Sequence, residues 1–587
     1  MAGMLNQQDP DDTKRLLMAL LIIGFGLIIW QVLFEQPRQH ATQVQRQEEV
    51  ARQEKMQEAL AENYQETVQA DRVVAEQQAN AQAKVRIQSS EIQGALALQG
   101  GRINYLKLND YAEDLEEDSP SVVLLQPSGV ESYFIEFGWL AGEGSVNAVS
   151  LPNSQTVWQA DSETLSPEKP VTLSWENGQG LRFESTITLE DSYLFKVKQR
   201  VINTSASNVE LLPYGYINRT FEGEVSQLLI LHEGPIGVLD GSLSEISYDD
   251  LMEDGSKRYA NAEGWLGITD KYWLTALIPH QGEPFTGNFK GYTTKNGYHR
   301  YQADFMGRSR TVAPGTSDEY ESLVFAGAKK LELLDKYGEK YQVPLLDRAV
   351  DLGFLYFLTK PIFKALTYLY SHVGDFGLAI ILLTILIKLA MYPLANKSYV
   401  SMNEMKRLQP KLASLKERYG NDKMRFQQEM MSLYKKEKIN PAAGCLPLLI
   451  QIPVFFALYK VLFVTIEMRH APFYNLIADL SAKDPSNIFT GFGLIEWAPP
   501  EFLHLGILAI LMAVTMWVQQ QLNPKPTDPV QAKVMGWLPW IFMVILAGFP
   551  AGLLLYWVCS NLLSIVQQWS IKLRYNKREK ARAANDG

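Results

Sequence analysis

Lys388 lies inside an apolar run, Phe376 to Leu394, where an ammonium at the centre of a bilayer costs about 2.5 to 3.5 kcal/mol on the insertion scale. A charge in that position is a functional candidate by default. Thr384 precedes it by four residues and so falls on the same helical face. Polar residues recur in the other apolar runs: Gln451, Gln519, Ser560 and Asn561, with Tyr556 and Trp557 nearby. Together these could line one wet, amphipathic groove, whereas an ion pore would want a ring of charges or carbonyls. Two plainer readings stand beside the groove. Lys388 is six residues from Leu394, about 9 Å by helical rise, so it can snorkel to the near interface; and Ser, Asn and Gln can serve interhelical hydrogen bonds alone.

Other chemistry finds little support. The chain has no Walker A sequence, no H-E-x-x-H, no G-x-S-x-G and no G-x-G-x-x-G, so nucleotide-driven work and the common hydrolase mechanisms lack their motifs. Cys445 and Cys559 are the only two cysteines in 587 residues, which excludes a disulfide framework and a multi-Cys zinc site. His232, His280 and His299 match no metal spacing and read as structural or surface residues. The expectation is no catalytic residue, no metal and no cofactor. With 55 Lys+Arg against 65 Asp+Glu, a net charge of -10 argues against DNA binding driven by overall charge.

The elements that must hold Lys388 are membrane spans. Leu16 to Phe34 is 19 uncharged residues after Lys14 and Arg15 with no small-x-small cleavage site behind it, and reads as an uncleaved anchor. Phe376 to Leu394, Leu446 to Val464, Phe502 to Val518, Met535 to Phe549 and Ala551 to Ile571 bring the expectation to six spans. Eleven Lys+Arg lie between Lys397 and Lys438, six between Lys572 and Arg582, but only Arg469 and Lys483 between the third and fourth spans. The positive-inside rule then places both termini in the cytoplasm and residues 35–375 and 465–501 outside. Phe354 to Tyr370, interrupted by Pro361 and rich in interfacial aromatics, reads as an amphipathic helix on the outer surface, with Lys360 and Lys364 on one face. The fifth span is short, about 22 Å against a core of about 30 Å, so it predicts a thinned bilayer or a shallow helix. Gly548-Phe549-Pro550-Ala551-Gly552 predicts a tight turn into the sixth.

Residues 35 to 84, rich in Gln, Glu and Ala, cannot form a core and read as a tether. From Arg86 to about Lys340 the pattern alternates: Ala95 to Leu98, Ile103 to Leu108, Val171 to Trp175, Leu181 to Leu189 and Tyr193 to Ile202 predict strands. Asn177-Gly178, Asp240-Gly241, Asp254-Gly255 and Asn296-Gly297 are turn signals, and the whole suits an all-β sandwich. Between Asn396 and Asn440 two amphipathic helices break at Gly420-Asn421-Asp422, one with a stripe of Leu408, Leu412, Leu415 and Tyr419, the other with Met424, Met431, Leu433 and Tyr434. Lys406, Arg407, Lys411, Lys416 and Arg418 make this hairpin basic, either to dock an anionic partner such as ribosomal RNA or lipid, or simply to fix topology.

The chain resembles the bacterial YidC-type membrane protein insertases over nearly all of residues 351–575. The resemblance rests on Gly374-Asp375-Phe376-Gly377, Met391-Tyr392-Pro393-Leu394, Leu408-Gln409-Pro410-Lys411, Asn440-Pro441, Gly444-Cys445-Leu446-Pro447-Leu448-Leu449-Ile450-Gln451-Ile452-Pro453 and Phe549-Pro550-Ala551-Gly552-Leu553. The first span and outer region resemble the Gram-negative members, which implies a periplasmic β-supersandwich of the galactose-mutarotase-like type. The resemblance also implies a five-helix core around a hydrophilic groove closed to the periplasm, in which a positive residue attracts the polar tail of a nascent membrane protein. It further implies cooperation with the Sec translocon, ribosomes and targeting machinery, within the lipids of the inner membrane. Lys388 stands where well-known relatives carry Arg, keeping the charge without the bidentate fork. Trp557 stands where some have a second Tyr. The expected division is a cytoplasmic N-terminus (1–15), anchor (16–34), periplasmic tether (35–85), β-supersandwich (86–345) and interfacial helix (346–374). There follow the second span (375–395), the cytoplasmic hairpin (396–440), spans three to six (441–571) with a periplasmic loop (465–501), and a basic tail (572–587). A transporter or channel with an outer ligand-binding domain is the alternative from another class, and an anchored periplasmic carbohydrate enzyme a third, although no paired catalytic groups stand out in residues 86–340.

Overall fold

A computed structural model describes residues 84–127, 132–142, 149–221, 231–295, 297–419, 422–437, 439, 446–474, 476–490, 505–523 and 529–585. The first predicted span, most of the tether, Cys445 and the Asn440-Pro441 motif lie outside these residues.

Two large sheets stack in the first half. The larger has eleven strands among the described residues, nine of them in the order Ser256–Ala262, Phe285–Thr293, His299–Met306, Val209–Thr220, Tyr133–Ala141, Arg102–Ala112, Ile92–Ala97, Lys84–Gln88 and Thr164–Leu165. The smaller runs Ser242–Glu245, Gly234–Leu239, Gly264–Thr269, Trp273–Ile278, Ser317–Ala328, Leu194–Asn203, Leu181–Asp191, Val171–Glu176 and Gln159–Ala160. Pairing is antiparallel apart from Lys84–Gln88 with Thr164–Leu165. Period-two burial explains the stacking: in Leu181–Asp191, Leu181, Phe183, Ile187 and Leu189 are all 3% exposed or less and enter the shared core. Asp240 and Gly241, both at positive φ (53° and 73°), make the two-residue turn from Gly234–Leu239 to Ser242–Glu245, the twist that a tight hairpin needs. Asp254-Gly255 has a different role. Gly255 ends helix α1, Tyr248–Asp254, by donating its N–H to the Leu251 carbonyl at a positive φ of 74°.

Helix α2 (Leu331–Lys340) leads into α3 (Tyr356–Val373). Lys360 pairs with Asp335 and Asp347, both at 2.7 Å, and Lys364 reaches Asp335 at 3.3 Å, so the predicted lysine face is held against α2. Phe354, Phe357 and Tyr368 stay exposed. Gly374, at φ 71°, closes α3, and Asp375 at once caps α4 (Phe376–Ala390) through Leu378 N–H at 2.8 Å. The remaining helices are α5 (Tyr392–Tyr419), α6 (Lys423–Lys436), α7 (Leu446–Val464), α8 (Ile507–Leu522), α9 (Pro529–Leu546) and α10 (Ala551–Asn585). Helix α9 begins at Pro529, whose fixed φ suits the first helical position, and runs 18 residues to Leu546, of which Ala532–Leu546 is the apolar part, as short as the sequence indicates. The turn into α10 is pinned by Ala551 and Gly552 N–H donating to the carbonyls of Ala482 and Leu480 at 2.7 and 2.9 Å.

The β region and the helices are joined through polar contacts. Lys460 on α7 meets Asp351 at 2.8 Å, and Arg469 donates to the carbonyls of Ala112 and Glu113 at 2.7 and 2.9 Å. Glu467, just past α7, accepts from Leu331 N–H at the start of α2, while its buried Oε2 has no hydrogen-bond partner. Burial pushes this carboxyl up to about 7. The folded state therefore holds a proton that the unfolded chain has released between pH 4.5 and 7, and the group's stabilising effect is lost as pH rises through 7. Glu467→Gln is expected to raise the thermal unfolding temperature of the purified protein at pH 8, with the gain shrinking toward pH 5. A gain independent of pH would sink this account.

Candidate functional site

Lys388 sits on the last turn of α4, two residues before the helix ends. Its Nζ donates to Ser564 Oγ on α10 at 2.9 Å and to Gln451 Oε1 on α7 at 3.3 Å. The Gln451 amide in turn donates to the Tyr556 hydroxyl on α10. Each partner is neutral, and among the described residues no carboxylate pairs with this ammonium. Two of the three Nζ donors are occupied by protein and one remains for another acceptor.

α10 supplies the polar stripe because Tyr556, Ser560 and Ser564 follow at i, i+4 and i+8. Ser560, Ser564 and Gln568 are buried, and Ser564 Oγ also donates to the Ser560 carbonyl at 2.8 Å. Asn561 faces α8 instead, donating to Thr515 Oγ1 at 3.1 Å. The opposite faces are apolar and open. Leu449, Ile452 and Phe456 on α7, Trp537, Ile541 and Val544 on α9, and Leu562, Val566 and Trp569 on α10 are all exposed large side chains. Polar groups inside and apolar groups outside is the arrangement that hydrocarbon surroundings favour. By length and composition, no single helix among the described residues is long and apolar enough to cross a membrane, while α4 and α5 qualify as a bent pair.

Not every residue expected at the groove joins the network. The Thr384 hydroxyl bonds back to the Ile380 carbonyl at 2.6 Å and is buried, because a threonine inside a helix satisfies itself on the preceding turn. Trp557 packs edge-on against Phe455 at 4.7 Å and near Phe542 at 6.0 Å, forming an aromatic contact. Ser564, Thr515 and Gln567, whose amide donates to the Lys388 carbonyl at 3.4 Å, escaped the sequence reading. The i+4 spacing from Ser560 was the available signal for Ser564.

The basic hairpin is a small unit in its own right. Leu408 and Leu412 of α5 bury with Tyr434 and Ile439, and Met430 and Leu433 pack against them. Met424 and Met431 are exposed, so the predicted stripe on α6 keeps Leu433 and Tyr434 but is corrected by one residue, from Met431 to Met430. Arg407, Lys411, Lys416 and Arg418 are exposed and Lys406 partly so, with Lys411 paired to Glu437 at 2.6 Å. Asp422 caps α6 through Arg425 N–H at 3.0 Å. No group of three or more His, Cys, Asp or Glu among the described residues could hold a metal ion.

Two family models span most of the chain. One described as 60Kd inner membrane protein matches residues 368–579, and one described as YidC periplasmic domain matches residues 84–365. The membrane protein insertase YidC of Rickettsia bellii (strain OSU 85-389) is 46% identical over 558 residues, 94% of this chain and 98% of that protein. Its counterpart in Rickettsia rickettsii (strain Sheila Smith) is 46% identical over 562 residues, with the same shares covered. The crystal structure of an active YidC insertase with its first transmembrane domain resolved is 17% identical, with a TM-score of 0.34 over 83% of this chain and 92% of that one. The class so defined is an inner-membrane protein carrying a periplasmic β domain. The chain belongs to the YidC family.

Removing part of the hairpin's small core tests its independence. Leu412→Ala is expected to cost about 2 to 5 kcal/mol locally, read as faster amide exchange across residues 404–437 with the β region unchanged. Equal loss of protection in both regions would show that the hairpin does not stand alone.

Proposed function

We propose that this chain is a membrane protein insertase, which moves nascent inner-membrane proteins into the bilayer without covalent catalysis. The observation that carries the mechanism is the Lys388 ammonium, held by Ser564 and Gln451 with no carboxylate beside it. An uncompensated positive charge among apolar helices attracts the acidic tail of a substrate and lowers the cost of bringing it below the membrane surface. The substrate's apolar segment passes along the exposed faces of α7, α9 and α10 into lipid, where burial supplies the driving force. The membrane potential assists acidic tails.

In this reading α4, α7, α8, α9 and α10 form a five-helix core, and residues 16–34 add the first of six spans. Both termini and the hairpin lie in the cytoplasm, following the charge distribution between Lys397 and Lys438, and α3 rests on the periplasmic surface with Phe354, Phe357 and Tyr368 in the headgroups. Lys406, Arg407, Lys411, Lys416 and Arg418 offer a docking surface to ribosomes and targeting machinery, and the Sec translocon and lipids are the partners within the membrane. Thr384, Trp557, Ser560 and Asn561 then serve as packing and hydrogen-bonding walls of the groove, with Tyr556 and Gln451 at its polar lining.

Reconstitution into liposomes, with protease protection of the translocated tail of a small single-span protein, tests this reading. Insertion above empty liposomes is expected, and Lys388→Ala should reduce it about tenfold for acidic tails, equivalent to 1.4 kcal/mol, while neutral tails change little. Lys388→Arg should retain activity. Equal insertion of acidic tails with and without Lys388 would remove the groove charge from the mechanism; no insertion by folded protein would remove the insertase reading itself.

A further inference from the structure

The groove face of α10 does not stop at Ser564. Tyr556, Ser560, Ser564, Gln567, Ile571 and Arg574 follow at steps of three and four residues, so they share one face of the helix. The last four meet α4 and the start of α5 in turn. Ser564 takes the Lys388 ammonium at 2.9 Å, and Gln567 donates to the Lys388 carbonyl at 3.4 Å. Ile571 buries with Ala395 and Tyr399 in a small core, and Arg574 donates to the Tyr392 hydroxyl at 3.1 Å. Tyr392 opens α5 just past the 65° bend from α4, so Arg574 stands at the end of the groove face, where the two helices part.

Arg574 is exposed and tethered only to a neutral group. Among the described residues no carboxylate pairs with it, and one N–H given to Tyr392 leaves the rest of the planar fork open to an acceptor. No Asp or Glu occurs from Phe376 to Asn403 or from Ala551 to Arg578. Glu579, the first on α10, lies about 140° round the helix from Arg574. The other charges near these helix ends, Lys397 on α5, Lys533 on α9 and Lys572 and Lys577 on α10, are all positive.

The groove therefore offers two cations in series on one helix face. Arg574 is ten residues beyond Ser564, about 15 Å along the axis, a span that an extended chain covers in four or five residues at about 3.3 Å each. The two differ in kind: Lys388 is a point charge already held by two acceptors, whereas Arg574 presents the fork that grips a carboxylate through two parallel bonds. We propose that Arg574 is a specificity-determining residue at the mouth of the groove, taking a carboxylate of the substrate's tail before the tail reaches Lys388. The proposal rests on the insertase reading and extends it to substrate choice: tails with two acidic residues about five positions apart engage both cations at once. A residue that merely pinned α10 to Tyr392 would serve tails of every charge alike.

Two measurements keep this proposal separate from the insertase reading. In the first, the full chain in phosphatidylcholine nanodiscs is titrated with labelled tail peptides carrying no acid or two Asp about five residues apart, read by fluorescence anisotropy. Arg574→Gln is expected to weaken the acidic peptide about fivefold and leave the acid-free peptide unchanged. Lys572→Gln removes the same charge from the opposite side of the helix and should change neither. In the second, liposome insertion, Arg574→Gln should raise the half-saturating concentration of acidic-tailed substrate by the same factor with the plateau rate kept, whereas Lys388→Ala lowers the plateau. The proposal is overturned by peptide binding indifferent to Arg574, by equal weakening in Lys572→Gln, or by equal loss for acidic and acid-free tails. Binding that depends on Arg574 without any insertion would support the site and overturn the insertase reading alone.

Discussion

An ammonium among apolar helices constrains everything around it. Lys388 can be tolerated only where oxygen acceptors reach it, and α4 alone has none to offer, since Thr384 spends its hydroxyl on its own backbone. The acceptors come from Gln451 and Ser564, so α7 and α10 must both approach α4 at the same depth. Tyr556, joined to Gln451, sets the next turn of that contact. The outer faces are then free to be wholly apolar, because the polar inventory of the helices has been gathered on one side.

The β region meets the helices by a different logic. Charged side chains at the boundary, Lys460 with Asp351 and Arg469 with two backbone carbonyls, add directional bonds to an apolar core that continues from the sheets into the helices. Such contacts fix orientation through directional bonds, and they place α3 beside the first turn of α4 through Gly374 and Asp375. Asp375 uses both oxygens: one caps α4, and the other accepts from Tyr474 N–H at 2.9 Å. A single carboxylate thus registers the helix against the loop that follows α7.

Much of this was legible in the sequence, and the gaps have physical causes. Alternation marked the strands at Leu181–Asp191 and Leu194–Asn203 within one or two residues, because each buries a single face. Asp240-Gly241 announced its own hairpin. Asp254-Gly255 did not, since the same residue pair ends a helix as readily as it turns a chain. The start of α9 was missed because apolar runs, rather than helix-starting residues such as Pro529, defined the span. Lys388 and Gln451 stood out as polar residues in apolar runs. Ser564 did not, because a serine on a helix is ordinary until a partner 176 residues away is known. The α6 stripe was misphased because four methionines and leucines within one short helix fit two faces almost equally well.

That separation of 176 residues also has a temporal side. Chains are synthesised at about 5 to 20 residues per second, so Ser564 emerges roughly 10 to 35 s after Lys388. Throughout that interval α4 carries a lysine whose partner on α10 does not yet exist. The protein is thus, during its own birth, a difficult passenger of the same kind as the membrane proteins it inserts, with α4 waiting for its acceptor until α10 arrives.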